Sequence, residues 1–286
     1  MEKKDTGKLF LVGTPIGNLR DITLRAIDTL KEVDIVLAED TRQTLKLLNH
    51  LEISKQLISY HRHNEVDKIN EVKRLLDEGK NIALVSDAGM PRISDPGEAL
   101  IETLIKDSYA IEVIPGVTAL TTAVAYSSFD ADTFTFEGFL PMRPTRRRER
   151  LETLKYETRT MVFYEAPHKI LSTLKDLYKF LGEREICIMR ELTKLHEECR
   201  YSTLSKQIEQ IDKEGIKGEI VLIVKGNENG REELKKEEDK NLGIDKLTDK
   251  ELVEKYIIDG MDKKEAIKLV AKQRGKTKNE VYMECI

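Results

Sequence analysis

The chain has 286 residues, of which 35% are charged and 40% hydrophobic, and its formal net charge is −4. The length allows two domains, and an acidic globular chain has no general affinity for nucleic acid, so such contacts would need local basic clusters. Three scattered cysteines, Cys187, Cys199 and Cys285, argue against a disulfide framework and against a cysteine metal site.

Membrane and export signals are not expected. The first residues lack the apolar core of a signal peptide, and no uninterrupted apolar run approaches membrane-spanning length. The default expectation is a cytoplasmic protein.

Short apolar runs alternate with helical patterns over the first 118 residues. The runs predict buried strands, and their alternation with helices predicts a parallel sheet. Ligands of such sheets bind beyond the carboxyl ends of the strands, so polar residues there are candidates for a site. The predicted strands are 9–12, 35–38, 57–59, 82–85 and 111–114.

The fourth predicted strand ends in Ser86 and Asp87 and then turns through glycine and proline. Gly89 would let a ligand approach the backbone closely. Asp95 can cap the following helix, for which Pro96 suits the first position. An ordinary strand-to-helix turn explains this stretch equally well by itself, but polar ends recur at other strands and favour a ligand site.

The second predicted strand also ends in polar residues, Glu39 to Arg42, which are more than a helix cap requires. The alternative is that Asp40 or Thr41 caps the next helix and that Arg42 pairs with Glu39.

A histidine-containing loop with His61, His63 and Glu65 follows the third predicted strand. The histidines lack the His-x-x-x-His spacing, and no other His or Cys cluster completes a site, so we expect no metal. A lip that hydrogen-bonds a substrate and a plain surface loop are the two interpretations left open.

A second unit of strands and helices is predicted after residue 118, with strand-like runs at 134–139, 161–164, 186–189 and 218–224. Arg146, Arg147 and Arg148 belong to a basic run within it. Such a run is usually a solvated helix face, but its density favours an anionic partner.

Residues 227–242 are nearly all charged or polar and predict a linker. Three short helices are predicted beyond it, at about 249–258, 263–273 and 278–284. Lys263 to Lys278 contains seven basic residues and one acidic residue. A helix-turn-helix-like module on nucleic acid is one interpretation, and a capping bundle on the main body is the other.

Six motifs occur in one order along the chain: Gly13-Thr14-Pro15-Ile16-Gly17-Asn18-Leu19, Ala38-Glu39-Asp40-Thr41-Arg42, Ser86-Asp87-Ala88-Gly89, Phe136-Glu137-Gly138-Phe139-Leu140-Pro141, Phe163-Tyr164-Glu165-Ala166-Pro167-His168 and Arg190-Glu191-Leu192-Thr193-Lys194. Together they resemble the bacterial small-subunit rRNA ribose 2′-O-methyltransferase I family, a branch of the tetrapyrrole methylase superfamily. Met90 departs from the family's usual Thr, and Val117-Thr118 from its frequent Pro-Ser.

The resemblance implies an α/β, tetrapyrrole-methylase-like fold with two α/β domains, at 1–118 and 119–226, and the cofactor cleft between them. From the composition of the tail we expect a charged linker at 227–242 and a helical RNA-docking module at 243–286, and this helical tail also resembles the C-terminal module of the family.

In function, the resemblance implies a homodimer that uses S-adenosylmethionine to methylate the 2′-hydroxyl of a cytidine in the decoding region of 16S rRNA, in the small ribosomal subunit. The implied cofactor contacts are Ile16, Asp87, Met90, Thr118, Ala119, Tyr164, Leu192 and Glu219. RNA contacts are expected at Arg146, Arg147, Arg148, Lys263 and Lys272.

Methyl transfer to a hydroxyl is governed mainly by positioning, and a positioned base should help because a protonated hydroxyl is a poor nucleophile. The candidate bases are Glu39, Asp40, His61 and Glu165, among which the sequence does not choose. Two alternatives stay open. One is a corrin-pathway tetrapyrrole methyltransferase, against which the basic run and basic tail argue. The other is a non-enzymatic RNA-binding protein of the same fold.

Overall fold

The structure, a computed structural model, describes residues 6–62, 64–241, 247–258 and 260–285. The chain divides into two compact units, Met1–Asn227 and Glu228–Ile286. Within the described ranges, no helix combines the length and the apolar character needed to cross a lipid bilayer.

The first sheet has five parallel strands in the order β3-β2-β4-β1-β5. A helix connects each strand to the next, so the carboxyl ends of all five strands lie at one edge of the sheet. The strands are β1 (Leu9–Val12), β2 (Ile35–Ala38), β3 (Gln56–Ser59), β4 (Ile82–Val85) and β5 (Ile111–Ile114). The helices are α1 (Leu24–Glu32), α2 (Thr41–His50), α3 (Glu65–Asp77) and α4 (Glu98–Lys106).

Helices cover both faces of this sheet. Leu37 and Leu84 pack with α3 and α4 on one face, whereas Val36 and Ala83 pack with α1 and α2 on the other. Successive strand residues point to opposite faces, so a strand covered on both sides must be apolar throughout. For this reason, continuous apolar runs in the sequence were a sufficient signal for β2 and β4.

The second sheet has the order β6-β7-β10-β8-β9, in which β6 and β7 are parallel and the other neighbours are antiparallel. Strand β10 comes last of these five strands along the chain, but it lies at the centre of the sheet. The strands are β6 (Phe134–Gly138), β7 (Thr160–Glu165), β8 (Glu185–Arg190), β9 (Glu198–Thr203) and β10 (Ile220–Val224). The helices are α5 (Ala119–Tyr126), α6 (Pro144–Leu154), α7 (Ile170–Leu181) and α8 (Leu204–Glu214).

The two sheets share an apolar cluster. On one face of the second sheet, α6, α7 and α8 bury their leucines. On the other face lies α5, together with Ile16 from the loop after β1 of the first sheet. Ile16 is buried there in a cluster that includes Leu192 and Val221, so a loop of the first sheet is part of the core of the second.

The start of α4 differs from the prediction, because Asp95 does not cap this helix. The N-cap residue is Gly97, and the Glu65 carboxylate accepts hydrogen bonds from the N–H groups of Gly97 and Ala99 at 3.1 and 2.9 Å. The capping group comes from α3, which a local pattern does not reveal.

The edge strand β9 is absent from the sequence predictions. Its residues are mostly half-buried and polar, so they lack both a continuous apolar run and a clear alternation. Pairing with β8 along six residues is what makes this segment a strand.

Part of the predicted linker is helical. Residues Gly230–Asn241 form α9. Glutamate, lysine and leucine are strong helix formers, and the first turn carries Glu232 and Glu233, where negative charge is favourable. Residue 242 of the predicted linker and residues 243–246 of the predicted module lie outside the described residues.

The three predicted tail helices are present as α10 (Asp249–Ile258), α11 (Lys263–Arg274) and α12 (Lys278–Glu284). They bury a small apolar core that includes Leu252, Ile267 and Val281. The buried Asp249 carboxylate pairs with Lys276 at 2.8 Å, and α12 begins with a capping box of Thr277 and Glu280. The Glu228–Ile286 unit therefore has a core and helix caps of its own.

Candidate functional site

A cavity of about 340 Å³ lies at the carboxyl edge of the first sheet, where the second sheet meets it. This volume is in the range of small-molecule sites. Its lining includes seven of the eight residues expected to contact the cofactor. They are Ile16, Met90, Thr118, Ala119, Tyr164, Leu192 and Glu219.

One wall forms where backbones meet without side chains between them. Thr14 and Gly89 make a backbone bridge with N···O distances of 2.9 and 3.1 Å. A Cβ on Gly13 would lie 2.7 Å from the Gly116 backbone, so this contact needs glycine. The loops after β1, β4 and β5 converge at the cavity for this reason.

The opposite wall depends on a contact between the loops after β1 and β8. The Asn18 N–H donates to the Thr193 hydroxyl at 3.1 Å, and a Cβ on Gly17 would lie 2.5 Å from Lys194 Cγ. Beside this contact, the buried Leu192 side chain lines the cavity.

Tyr164 connects the second sheet to the start of α5. Its hydroxyl accepts a hydrogen bond from the Leu120 N–H at 2.9 Å, and burial raises the pKa of Tyr164. Its ring packs edge-on against Phe136 and Phe139, at centroid distances of 4.9 and 5.8 Å. Phe139 lines the cavity and is 57% exposed, so it presents an aromatic surface at the opening.

Asp87, the eighth expected cofactor contact, is not part of the cavity lining. Its Oδ1 accepts a hydrogen bond from the Asp40 N–H at 3.0 Å, which joins the ends of β2 and β4 beside the wall. Partial burial raises the pKa of Asp87. A direct contact between Asp87 and the cofactor stays a prediction.

Asp40 has a structural role. It is the N-cap residue of α2, accepts the Arg42 N–H at 2.9 Å and pairs with the Arg42 guanidinium at 2.7 Å. Hydrogen bonds from Arg42 hold the pKa of Asp40 at about 2, which is low for a base at neutral pH. Arg42 therefore pairs with Asp40, not with Glu39.

Glu39 and His61 lie near each other beyond the ends of β2 and β3, outside the cavity lining. Burial and then the nearby Asp87 raise the pKa of Glu39, against the opposing effects of Arg62 and His61. His63 lies outside the described residues. Within the described ranges, no three His, Cys, Asp or Glu side chains are grouped so that they could hold a metal ion.

Glu165 lines the cavity, but both of its carboxylate oxygens accept hydrogen bonds from the protein. Oε1 accepts the Ala166 N–H at 2.8 Å, and Oε2 accepts the Thr173 hydroxyl at 2.5 Å. Arg147 donates to the same Thr173 hydroxyl at 2.9 Å and pairs with Asp176 at 2.7 Å. Glu165 and Arg147 therefore fix α7 against β7 and α6.

The three adjacent arginines of α6 differ in their surroundings. The Arg147 side chain is 19% exposed and turned inward by its ion pair. Arg146 is exposed, and Arg148 is 71% exposed although it pairs with Glu152. Two further expected RNA contacts are exposed on α11, Lys263 and Lys272.

The sequence analysis missed Ile93, Ser94 and Asp95 as cavity residues. Arg92 and Ser94 have φ angles of 73° and 72°, a left-handed conformation that residues other than glycine rarely adopt. Burial, followed in size by the nearby Glu39, raises the pKa of Asp95 to about 7. The available signal was that Asp95 lies in the same strand-to-helix loop as Asp87.

The sequence profile of the tetrapyrrole (corrin/porphyrin) methylases matches residues 8–208, which places the chain in that class of methyltransferases. A ribosomal RNA small subunit methyltransferase I from Halalkalibacterium halodurans is 47% identical over 98% of this chain and 95% of its own length. One from Thermotoga maritima is 50% identical over 78% of this chain and 100% of its own length. The chain belongs to the ribosomal RNA small subunit methyltransferase I family.

Solved structures share the fold at low identity. Cobalt precorrin-4 methyltransferase has a TM-score of 0.61 at 17% identity, with 79% of this chain and 97% of that chain covered. Uroporphyrin-III C-methyltransferase from Thermus thermophilus, complexed with S-adenosylhomocysteine, has a TM-score of 0.57 at 19% identity, with 77% and 97% covered. At these identities the likeness establishes the fold alone.

Methyltransferases of this family use S-adenosylmethionine, which supplies a methyl group on a cationic sulfur. The residues of the cavity fit this cofactor. Ile16, Leu192 and Val221 offer an apolar wall for an adenosyl group, and carboxylates stand nearby for the cationic part. Gly89 leaves room in the wall: a Cβ there would lie 3.4 Å from Ile16 Cγ2 and 3.6 Å from the Val117 carbonyl oxygen.

Replacing Gly89 with alanine should weaken S-adenosylmethionine binding by about tenfold, or about 1.4 kcal/mol, because the new methyl group enters the wall and strains a backbone at φ 84°. Gly182→Ala is the matched control, since Gly182 has φ 73° and nothing lies within 4 Å of a Cβ there. Calorimetric titration and thermal melts of both variants check this. Both should lose stability, and equal cofactor affinity in the two variants would contradict the assignment of the cavity.

Proposed function

We propose that this chain transfers the methyl group of S-adenosylmethionine to the 2′-hydroxyl of a cytidine in the decoding region of 16S rRNA. The observation that carries this proposal is the cavity, whose lining includes seven of the eight residues that the family resemblance assigns to the cofactor. Carboxyl groups near this cavity suit a hydroxyl acceptor. Burial raises the pKa of Glu39, Asp87 and Asp95. A hydroxyl acceptor must lose its proton during transfer, and carboxyl groups of raised pKa are better bases for it.

The substrate class rests on the relatives, whose name specifies ribosomal RNA of the small subunit. The cytidine, its 2′-hydroxyl, the cytoplasmic location and the homodimer follow from the family resemblance of the six motifs and form part of the proposal. The alternative, a corrin-pathway methyltransferase, is supported only by the fold that this chain shares with solved tetrapyrrole methyltransferases, to which it is 17–20% identical in sequence.

In this mechanism the residues of the chain bind the cofactor, orient the reacting groups and exclude water. Ile16, Leu192 and Val221 supply the apolar wall, and Tyr164 fixes this wall to α5 through its hydrogen bond with the Leu120 N–H. Such fixed walls hold reacting groups in line, which is the main requirement of methyl transfer. The neighbouring carboxylates favour a cation at the site.

An RNA strand could bind beside the opening. Phe139 presents an exposed ring there, and the chain then passes through the exposed Arg143, the N-cap residue of α6, to the exposed Arg146 within that helix. Unstacked RNA bases bind to aromatic rings of this kind, and arginines bind phosphates. The basic side chains of α11, with Lys263 and Lys272, would add phosphate contacts on the C-terminal unit.

Small ribosomal subunits incubated with the protein and labelled S-adenosylmethionine should acquire one methyl group per subunit. Nuclease digestion and mass spectrometry should identify it as 2′-O-methylcytidine. Free precorrins assayed in parallel should stay unlabelled. A methyl group on a base, or on a precorrin, would refute the proposed function.

Replacing Arg146 and Arg148 together with alanine should weaken RNA binding and reduce the slope of log affinity against log salt by about one per lost phosphate contact. Arg147→Ala is the comparison, because its guanidinium is already paired with Asp176. That variant should lose stability while keeping the salt slope. Measurements of RNA affinity at several salt concentrations test this prediction. If the double variant keeps the wild-type slope of log affinity against log salt, these arginines of α6 are only a solvated helix face.

A chain that ends at Asn227 should fold and bind S-adenosylmethionine like the full chain, since the cavity lining ends at Val221 and the tail has its own core. We expect its rRNA methylation to suffer mainly through a raised KM. Melts, cofactor titration and steady-state kinetics test this. A truncated protein that aggregates or fails to bind cofactor would instead make the tail a structural cap.

A further inference from the structure

Two of the three cysteines lie side by side in the second sheet. The Sγ atoms of Cys187 on β8 and Cys199 on β9 are 3.1 Å apart. The two strands are antiparallel neighbours, and Cys199 is opposite Met189, the second residue after Cys187. The two thiols therefore lie diagonally across the strand pair, on one face of the sheet. Their spacing along the chain gives no indication of this contact, which the pairing of β8 with β9 creates.

The two thiols differ in their access to solvent. Cys187 is fully buried, whereas Cys199 is half-buried on β9, a strand at the edge of the sheet. Burial, followed in size by the contact with Cys199, raises the pKa of Cys187. Oxidants react with exposed thiolates, so Cys199 is the thiol that an oxidant attacks first. Cys187 then stands in contact with the oxidised sulfur, which is the position of a second, resolving thiol.

A bond between the two sulfur atoms would close the base of the β8–β9 hairpin. The loop of this hairpin, residues 191–197, carries Leu192 of the cavity wall and Thr193 of the contact with the loop after β1. Two of its residues, Glu191 and Thr193, have left-handed backbones with φ 53° and 67°. Cys187 also packs in the same apolar cluster as Leu192. The thiol pair therefore lies in the part of the core that supports this wall of the cavity.

We propose that Cys187 and Cys199 form a redox modification site, in which hydrogen peroxide produces a reversible disulfide that staples the loop carrying Leu192. The Cys199 thiolate attacks one peroxide oxygen, the O–O bond breaks, and the departing hydroxide takes up the proton of the thiol as water, which leaves a sulfenic acid. The Cys187 sulfur then displaces the sulfenic hydroxyl group and loses its own proton, so that the S–S bond forms and a second water leaves. The two sulfur atoms together lose two electrons, which reduce the peroxide to water.

The disulfide requires little movement and acts on the cofactor side of the site. Bonded sulfur atoms are about 2 Å apart, so the two thiols need to approach by only about 1 Å. The bond restricts the unfolded chain and therefore stabilises the folded one. It also limits the freedom of the loop, so that less order has to be imposed on the wall when the cofactor binds. This effect is independent of the acceptor that the enzyme methylates.

Peroxide treatment of the purified full chain, followed by alkylation without reduction, tests the site. Peptide mapping by mass spectrometry should show Cys187 linked to Cys199 and Cys285 alkylated. The melting temperature of the Met1–Asn227 unit should rise by about 5–10 °C, as expected for a closed loop of this length. Calorimetric titration should show about threefold tighter binding of S-adenosylmethionine. Dithiothreitol should reverse each of these changes.

The decisive variant is Cys199→Ser, which removes the thiol that reacts first. Cys285→Ser is the matched control, because Cys285 is also a half-buried thiol but belongs to the Glu228–Ile286 unit. Peroxide should change neither the melting temperature nor the cofactor affinity of Cys199→Ser, whereas Cys285→Ser should respond like the wild type. Each variant is compared with and without peroxide, so any direct effect of the substitution on folding cancels.

Two results in the wild type would overturn the modification site: no peptide that links Cys187 to Cys199, or a sulfinic acid at Cys199 that dithiothreitol does not reverse. A Cys199→Ser variant that responds to peroxide like the wild type would overturn it as well. A disulfide that leaves the melting temperature or the cofactor affinity unchanged or lower would overturn its role as a staple. These measurements need no RNA, so their failure is distinct from a failure of rRNA methylation.

Discussion

The contact between the loops after β1 and β8 joins the first sheet to the second beside the cavity. Ile16 enters the apolar cluster of the second sheet, and the next residues, Gly17 and Asn18, lie against Thr193. A Cβ at Gly17 would clash in this contact, and Thr193 on the other loop has a left-handed backbone, with φ 67°. Such a residue costs on the order of 1–3 kcal/mol. The burial of Ile16 and Leu192 offsets that cost, so the core of the second sheet sustains the strained loop that lines the site.

The inner strands of the first sheet, β1, β2 and β4, and the edge that carries the site could be predicted from sequence, because a strand buried on both faces is continuously apolar and parallel strands end at one edge. Asp95 could not be recognised in the same way. Asp-Pro-Gly before a helix is typical of an N-cap, and only the folded chain brings the Glu65 carboxylate to that helix and leaves Asp95 in the wall. The Glu65 carboxylate, which caps this helix in place of Asp95, belongs to α3. The spacing of residues around Asp95 gives no indication of a capping group from another helix.

The same limit applies to the charged segments. A dense run of arginines indicates an anionic partner, but Asp176, the residue that turns Arg147 inward, belongs to the next helix. The polar run after the last strand was predicted as a linker because it has few apolar residues. Helix formers with an acidic first turn are enough for α9. Composition therefore indicated which segments are charged, whereas pairing with distant residues determined which charges remain exposed.

The position of β10 at the centre of the second sheet has a consequence for biosynthesis. The first sheet is complete once β5 has been made, at Ile114, but β7 and β8 have no shared partner until Ile220–Val224 emerges and inserts between them. Domains fold in the order in which they are synthesised, and pairings between distant segments form slowly. Because Glu219, Ile220 and Val221 also line the cavity, a nascent chain remains unable to bind its cofactor until nearly all of the Met1–Asn227 unit has been translated.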